Sequence, residues 1–192
     1  MSDLIDFVDY ARRHQPEKEE LCFKHSCVTL SNGRRSCVPI NANYINGFKD
    51  RKAYIATRTP NSETATCNFW RMIWQHQTEV VVMLDQPGKN QDSTSFLDPD
   101  EESSLQFGKL NIKRFRVHQN QPSVVIMRAV VTHEDGGTLN VNYFLFKNWQ
   151  RQDVSPLECD LLDLISMTRL YNKLAVTPEL RKGYESYSSP LQ

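Results

Sequence analysis

Residues 62–84, SETATCNFWRMIWQHQTEVVVML, decide the fold of this chain. The stretch begins with polar residues and continues with aromatic and aliphatic side chains at helical spacing, which predicts a helix over residues 62–77. The apolar face of this helix would consist of Phe69, Trp70, Ile73 and Trp74. The β-branched run at 80–84 is typical of a strand that is buried on both faces. An amphipathic helix that leads into an apolar strand favours an α/β fold.

Weaker patterns on both sides of this stretch predict the remaining elements. They are a helix at 3–13, strands at 26–30, 53–57, 107–118, 123–132 and 139–146, and a helix at 157–174. Turns are predicted at 31–33, 118–122 and Gly136-Gly137, a polar surface loop at 86–104, and a loose polar tail from residue 177. This order of elements predicts a mixed β-sheet with helices packed on it.

Charge and hydropathy exclude two classes of partner. The 192 residues include 23 Lys plus Arg and 23 Asp plus Glu, so the formal net charge is zero. A neutral chain has no overall field that would draw it to nucleic acid or to an anionic membrane. No apolar run approaches the roughly 20 residues of a membrane-spanning helix, and the N-terminus lacks a secretory pattern. We therefore expect neither a nucleic acid nor a membrane partner.

The cysteines give no sign of a disulfide framework or of a metal site. Their number is odd, and no two are spaced as a CxxC pair. The five are Cys22, Cys27, Cys37, Cys67 and Cys159. This usage favours a reducing, cytosolic setting and predicts no bound metal.

Several short motifs, in order along residues 21–156, resemble those of classical protein tyrosine phosphatases. Residues 41–47 (NANYING) resemble the family's NANY-x-x-G segment, residues 54–60 (YIATRTP) its YIATQGP strand, and residues 63–74 its ET…DFWRMIW helix. Further matches are the strand at 80–84, Phe107-Gly108, Arg128 and Tyr143. The matched fold positions are Asn41, Asn43, Tyr44, Gly47, Tyr54, Pro60, Phe69, Trp70 and Trp74.

This resemblance implies a tyrosine phosphatase-like fold. Its class is α/β, with a highly twisted mixed sheet flanked by helices over residues 1–176 and a polar tail at 177–192. The chain is also similar to the phosphatase-like proteins of polydnaviruses (bracoviruses), a group with many inactive members.

The loop that performs the family's chemistry is not found in the sequence. The family needs a cysteine thiolate in a ring of backbone amides at a helix N-terminus, with an arginine that clamps the phosphate, all within HCxxGxxR. No HCxxGxxR occurs in the 192 residues, and the nearest text is His25-Ser26-Cys27. Cys27 could act as a nucleophile or be a small buried residue, and we expect the second. The resemblance therefore implies a domain that stops before its phosphate loop, with no catalytic residue and no cofactor.

The segment that matches the family's acid loop has lost its acid. Trp149-Gln150-Arg151 stands where the family has WPD, so Arg151 occupies the place of the acid. A guanidinium does not give up a proton near neutral pH. Asp153 lies two residues further on and would have to swing into the site to replace it.

The segment that matches the phosphotyrosine-recognition loop has also changed. Glu17 replaces the tyrosine that stacks on the substrate ring, and its charge would repel a phosphate dianion. Glu19 keeps a carboxylate where the family uses one to grip the substrate backbone, although the same charge would also suit a solvated loop.

One basic cluster lies on the strand predicted at 107–118. Its members are Lys109, Lys113, Arg114, Arg116 and His118. The cluster could attract a phosphorylated or acidic partner. Edge strands also carry such charges to prevent pairing between sheets, and this is the interpretation that we favour.

Taken together, the resemblance implies a non-receptor-class pseudophosphatase in the cytoplasm of an infected host cell. It would interfere with tyrosine-phosphorylation signalling or immune-cell function through protein partners, including tyrosine-phosphorylated host proteins. Three alternatives remain. The chain could bind phosphotyrosine without turnover, it could be a decayed product, or it could be a fragment of an active phosphatase whose reading frame is interrupted.

Overall fold

The computed structural model describes residues 22–23, 25–31, 37–60, 62–84, 104–117, 123–147 and 158–176. They belong to two compact units with the boundary between Thr59 and Pro60. The helix predicted at 3–13, the turn at 118–122, the tail from 177 and nearly all of the loop at 86–104 lie outside the described residues.

The N-terminal unit contains a three-stranded antiparallel sheet in the order β1-β2-β3. Its strands are β1 (Cys27–Ser31), β2 (Cys37–Ile45) and β3 (Tyr54–Thr57). The predictions at 26–30 and 53–57 are confirmed within one residue, whereas β2 was anticipated only as a motif. Val28, Leu30 and Ala42 are fully buried, and strand alternation places Ile45 and Tyr54 on the opposite, exposed face.

The second unit is built on a five-stranded mixed sheet. Its strands are β4 (Val80–Met83), β5 (Ser104–Phe107), β6 (Leu110–Val117), β7 (Val124–His133) and β8 (Thr138–Phe146), in the order β4-β8-β7-β6-β5. β4 runs parallel to β8 and the other neighbours are antiparallel. The predicted mixed sheet is thereby confirmed.

Two helices pack on opposite faces of this sheet. Helix α1 (Glu63–His76) places the Trp70 ring 5.7 Å from the Tyr143 ring. Helix α2 (Glu158–Val176) places the Tyr171 ring 5.1 Å from the ring of Phe144, and Leu164 joins the same core cluster. Tyr143 and Phe144 are consecutive residues of β8, so their side chains point to opposite faces.

Helix α1 has the ends that its sequence allows. The Ser62 hydroxyl accepts a hydrogen bond from the amide of Ala65 at 3.2 Å, which satisfies one of the free donors of the first turn. Gln77 ends the helix in the left-handed conformation, with φ +50°. Phe69, Trp70 and Ile73 of the predicted apolar face are buried and Trp74 is half-buried, whereas the buried Met72 was not part of that prediction. The prediction of this helix is confirmed.

Three details of the sequence predictions are wrong. The strand predicted at 107–118 begins only at Leu110, and β5, which precedes the turn at Gly108 (φ +58°), was not predicted. In the described part of the chain β4 is an edge strand, so Val82 is 42% exposed instead of being covered on both sides. β6 lies between β5 and β7, so its basic residues do not protect a sheet edge.

Candidate functional site

Most of the predicted site residues lie outside the described residues. These are Trp149, Gln150, Arg151 and Asp153 of the acid loop, and Glu17 and Glu19 of the recognition loop. Their predicted roles therefore remain predictions. The described motif residues lie on β2 and β3 in the N-terminal unit and on α1 in the second unit, and the segment around Cys27 is also described.

Asn43 ties the segment before β1 to the sheet. Its Oδ1 accepts hydrogen bonds from the Phe23 amide at 3.0 Å and from the Ser26 hydroxyl at 3.0 Å. The Tyr44 amide donates to the Ser26 carbonyl at 2.7 Å. The second asparagine of the NANY segment thus has a structural task, because it fixes the chain that follows the predicted recognition loop.

Cys22 and Cys27 form a disulfide, which corrects the expectation that the cysteines remain unpaired. The Ser26 amide donates to the Phe23 carbonyl at 2.9 Å, and this turn brings the two cysteine Cα atoms to 5.4 Å. That distance lies within the range that a disulfide spans. Cysteine count and CxxC spacing did not reveal the pair, because the pairing depends on the turn. Cys67, on α1, is a free thiol and is half-buried.

The segment His25-Ser26-Cys27 does not form a phosphate cradle. Cys27 begins a β-strand and not a helix, and its sulfur is bonded to Cys22. A disulfide sulfur carries no thiolate, so it cannot attack phosphorus in this state. Cys27 is half-buried in a turn-and-strand junction, which differs from the small buried residue that we expected.

Helix α1 offers no phosphate site at its N-terminus. Glu63 occupies its first turn. A carboxylate is favourable next to the positive end of the helix dipole, and it would repel a phosphate approaching the same amides. The N-terminus of α1 is therefore not the anion site that the family's chemistry requires.

Two buried polar groups lie between the sheet and α1. The phenol of Tyr143 and the indole nitrogen of Trp70 are buried without a hydrogen-bond partner among the described residues. Burial raises the pKa of Tyr143 well above its usual value, although the nearby charge of Arg114 opposes this shift. Tyr143 is therefore a neutral phenol at neutral pH and does not act as an acid there.

The described members of the predicted basic cluster do not form one surface, while the side chain of Arg116 and all of His118 lie outside the described residues. Arg114 is only 6% exposed, and it lies in the same ladder row as Ala129 and Val141 beneath α1. Lys109 is exposed and pairs with Glu134 and with Asp135. The hydrogen bonds that the Lys109 ammonium donates raise its pKa, and the bond to Glu134 contributes more than the bond to Asp135. Leu110, Ile112 and Arg114 are alternate residues of β6, so they point to the same face of the sheet. This spacing could have predicted that Arg114 is buried.

No helix among the described residues has the length and apolarity needed to cross a bilayer. No group of three or more His, Cys, Asp or Glu side chains within the described ranges is arranged to hold a metal ion.

Comparison with known proteins extends the resemblance over most of the chain. A sequence profile of the protein-tyrosine phosphatase family matches residues 12–180. Tyrosine phosphatase H2 of Microplitis demolitor bracovirus is 30% identical over 171 residues, which are 88% of this chain and 52% of that protein. Human receptor-type tyrosine-protein phosphatase C is 32% identical over 135 residues, 67% of this chain and 10% of that protein.

Solved structures agree on the fold. The catalytic domain of human protein tyrosine phosphatase non-receptor type 18 matches with a TM-score of 0.72 at 21% identity, over 88% of this chain and 61% of that domain. The predicted phosphatase-like fold is confirmed. This chain spans about half the length of the bracovirus protein, with 52% covered. On the profile match and the relatives together, the chain belongs to the protein-tyrosine phosphatase family.

Proposed function

We propose that this chain is a pseudophosphatase, a phosphatase-like protein that does not hydrolyse phosphotyrosine. The observation that carries the proposal is that none of the 192 residues belongs to an HCxxGxxR loop. Without that loop the chain has neither the thiolate nor the ring of amides that would hold the phosphoryl group during attack.

Independent features support the same conclusion. The only cysteine that follows a histidine closely, Cys27, is bonded to Cys22. Arg151 stands in place of the acid that would protonate the leaving group, and Glu17 stands in place of the stacking tyrosine. Because these losses affect different steps, restoring any single residue would not create an enzyme.

The role that we propose is interference with host tyrosine-phosphorylation signalling through protein contacts. The motif residues that remain, such as Trp70 and Asn43, stabilise the fold and leave the surface available for binding. The organism of the bracovirus relative supports a viral protein. Action in an infected host cell, with effects on immune cells, is part of our proposal. We propose the cytoplasm as its location because signalling phosphotyrosine is made there. Unpaired cysteines no longer support that location, because Cys22 and Cys27 form a disulfide.

A turnover assay tests the proposal. Purified full chain is incubated with a small aryl phosphate, and an active tyrosine phosphatase domain serves as the positive control. We expect no turnover above that of heat-denatured protein, with or without a thiol reductant that opens the Cys22–Cys27 bond. Turnover that vanadate abolishes would contradict the proposal, and loss of that turnover in Cys27→Ser or Cys67→Ser would identify the nucleophile.

A second candidate function is phosphotyrosine binding without turnover. A structure of human non-receptor type 18 with phosphopeptides of HER2 matches this fold, with a TM-score of 0.71. The missing cradle weighs against this candidate, because it removes the main anion site. Calorimetry with a phosphotyrosine peptide and its unphosphorylated form decides: binding of the phosphorylated peptide alone favours the second candidate.

A third candidate is that the chain is part of a longer phosphatase, and it is favoured by the 52% coverage of the bracovirus protein. The nucleotide sequence downstream of the codon for Gln192 tests it. An HCxxGxxR in any frame there would make this chain a fragment of an enzyme. A decayed product without function would instead unfold without cooperativity, as a thermal melt would show.

A further inference from the structure

The tip of the β2–β3 hairpin exposes apolar side chains among cations. Phe48 is 101% exposed, Tyr54 66% and Ile45 45%. Ile45 and Tyr54 are direct partners in the β2–β3 ladder, so they share one face of the sheet. We name this the hairpin-tip surface, and it consists of Ile45, Phe48, Tyr54, Lys49 and Arg51.

The loop that carries Phe48 is held in a single conformation. The Gly47 amide donates to the Asp50 carbonyl at 2.9 Å, and the Lys52 amide donates to Asn46 Oδ1 at 3.0 Å. A Cβ on residue 47 would lie 2.9 Å from the Cβ of Ala53, so the loop requires glycine there. Lys52 adopts φ +55°, which is uncommon for a residue with a side chain. A loop fixed in this way would lose little entropy when it binds.

The charges around Phe48 are largely uncompensated. Within the described residues Lys49 and Arg51 form no ion pair, and Asp50 is the single acid of the loop. Lys52 places its Nζ 4.6 Å from the centre of the Tyr44 ring, on the other side of the hairpin. The loop therefore has a local charge of about +2, although the whole chain is neutral.

This combination fits a protein partner better than a lipid surface. Exposed Tyr, Phe and Arg side chains are the types enriched where protein interfaces gain most of their affinity. Segments that bind anionic membranes usually collect about four to eight Lys or Arg residues, more than this loop contains. The positive local charge selects an acidic partner, and the apolar side chains need aromatic or aliphatic groups to contact.

We propose that the hairpin-tip surface binds an acidic segment of a partner protein that also carries aromatic side chains. The proposal rests on the proposed function in one respect, which is that the protein acts through a protein partner. Carboxylates of the segment would pair with Lys49 and Arg51, and an aromatic side chain would pack on Phe48 and Tyr54.

Binding to a defined polymer tests the proposal. Fluorescence anisotropy is measured for the full chain with a random copolymer of glutamate and tyrosine, and with polyglutamate. We expect tighter binding of the copolymer, weakening as salt is added. Phe48→Ser and Arg51→Glu should each weaken binding by about tenfold, because each removes one of the two kinds of contact.

Matched control variants come from the other unit. Leu162 and Arg169 are exposed residues of α2, so Leu162→Ser and Arg169→Glu make similar chemical changes on a different element of the chain. We expect both to bind the copolymer like the unmodified chain. Far-ultraviolet circular dichroism confirms that every variant is folded.

Three results would overturn the proposal. One is that the copolymer binds no better than polyglutamate, and another is that Phe48→Ser binds as well as the unmodified chain. The third is that vesicles of phosphatidylcholine and phosphatidylserine bind in a Phe48-dependent way while the copolymer does not. Vanadate-sensitive turnover would instead contradict the proposed function and leave this inference standing, so the two failures are distinguishable.

Discussion

Two of the described β-hairpins, β2–β3 and β7–β8, use aromatic and charged side chains in opposite ways. At the tip of β7–β8 the His133 ring stacks on the ring of Trp74 at 5.4 Å, and Lys109 pairs with Glu134 and Asp135. At the tip of β2–β3 Phe48 has no such ring contact in the described part of the chain, and it is fully exposed. At the first tip these side chains have partners within the protein, whereas at the second tip they are exposed to solvent.

This difference distinguishes side chains that stabilise the fold from side chains that are available for binding. The aromatic groups at β7–β8 stabilise the fold, because they join the turn to helix α1. The groups at the hairpin-tip surface contribute little to folding, since exposed apolar side chains bury almost nothing on folding. Their chemistry is therefore available for binding, and mutations can tell the two tips apart.

The largest expected effect contrasts Trp74 with Phe48. Trp74→Ala should lower the free energy of unfolding by about 2–3 kcal/mol, since Trp74 is half-buried and a fully buried Trp costs about 3–5 kcal/mol. Phe48→Ala should change it by less than about 0.5 kcal/mol. Urea unfolding followed by circular dichroism measures both. Equal losses for the two variants would show that Phe48 packs in solution.

The second prediction concerns the disulfide at the start of β1, which pairs with β2. Replacing both Cys22 and Cys27 by Ser removes a short closed loop and should cost about 2 kcal/mol by chain entropy. The measurement is the urea midpoint of the double variant, with a thiol reductant added to the unmodified chain as a parallel test. Cys67→Ser is the control, and a similar loss there would point to packing of thiols instead of the crosslink.

Two neighbouring glycines test whether the β7–β8 turn contacts the Trp74 ring. Gly136 and Gly137 have φ +98° and +95°, so alanine is strained at both. A Cβ at Gly136 meets nothing within 4 Å, whereas one at Gly137 lies 3.3 Å from the Trp74 ring. Gly137→Ala should therefore be more destabilising than Gly136→Ala by about 1 kcal/mol. Thermal melts compare them directly, and equal melting temperatures would exclude the contact with Trp74.

The sequence predicted the elements whose periodicity is strong. Helix α1 has four large apolar residues on one face, and β8 has a long β-branched and aromatic run, so both were predicted within two residues. β5 was not predicted, because it is short and adjoins the polar stretch that was assigned to a loop, and Gly108 turns the chain between β5 and β6. Leu162 and Leu170 of α2 are exposed, since the apolar residues of this helix extend beyond the face that the sheet covers.

The candidate site could be predicted only in part. The absence of an HCxxGxxR motif from these 192 residues is visible in the sequence itself and required no structure. Contacts between distant residues were not visible, and the Cys22–Cys27 bond and the buried Arg114 are two examples. Both depend on a turn or on a strand register that propensity does not specify. The same reason explains why exposure of Phe48 was not predicted.

The smallest expected effect concerns the ion pairs of Lys109. Its ammonium is exposed, so Lys109→Met should lower the melting temperature only slightly, and less in high salt, where the pairs are screened. The hydrogen bonds to Glu134 and Asp135 raise the Lys109 pKa above its ordinary value of 10.5. A group whose pKa is raised by folding stabilises the protein below its unfolded pKa, and this contribution is lost as pH rises through the folded pKa.

The difference between Lys109→Met and the unmodified chain should therefore be constant from neutral pH to about pH 10 and should disappear above the raised pKa. Lys49→Met is the matched control, because Lys49 forms no ion pair among the described residues and its replacement removes the same charge. A salt-dependent and pH-dependent loss at Lys109 with none at Lys49 would show that the charges of β7–β8 act within the fold. The same loss at both positions would remove the distinction between the two hairpins, because Lys49 would then have a partner in solution as well.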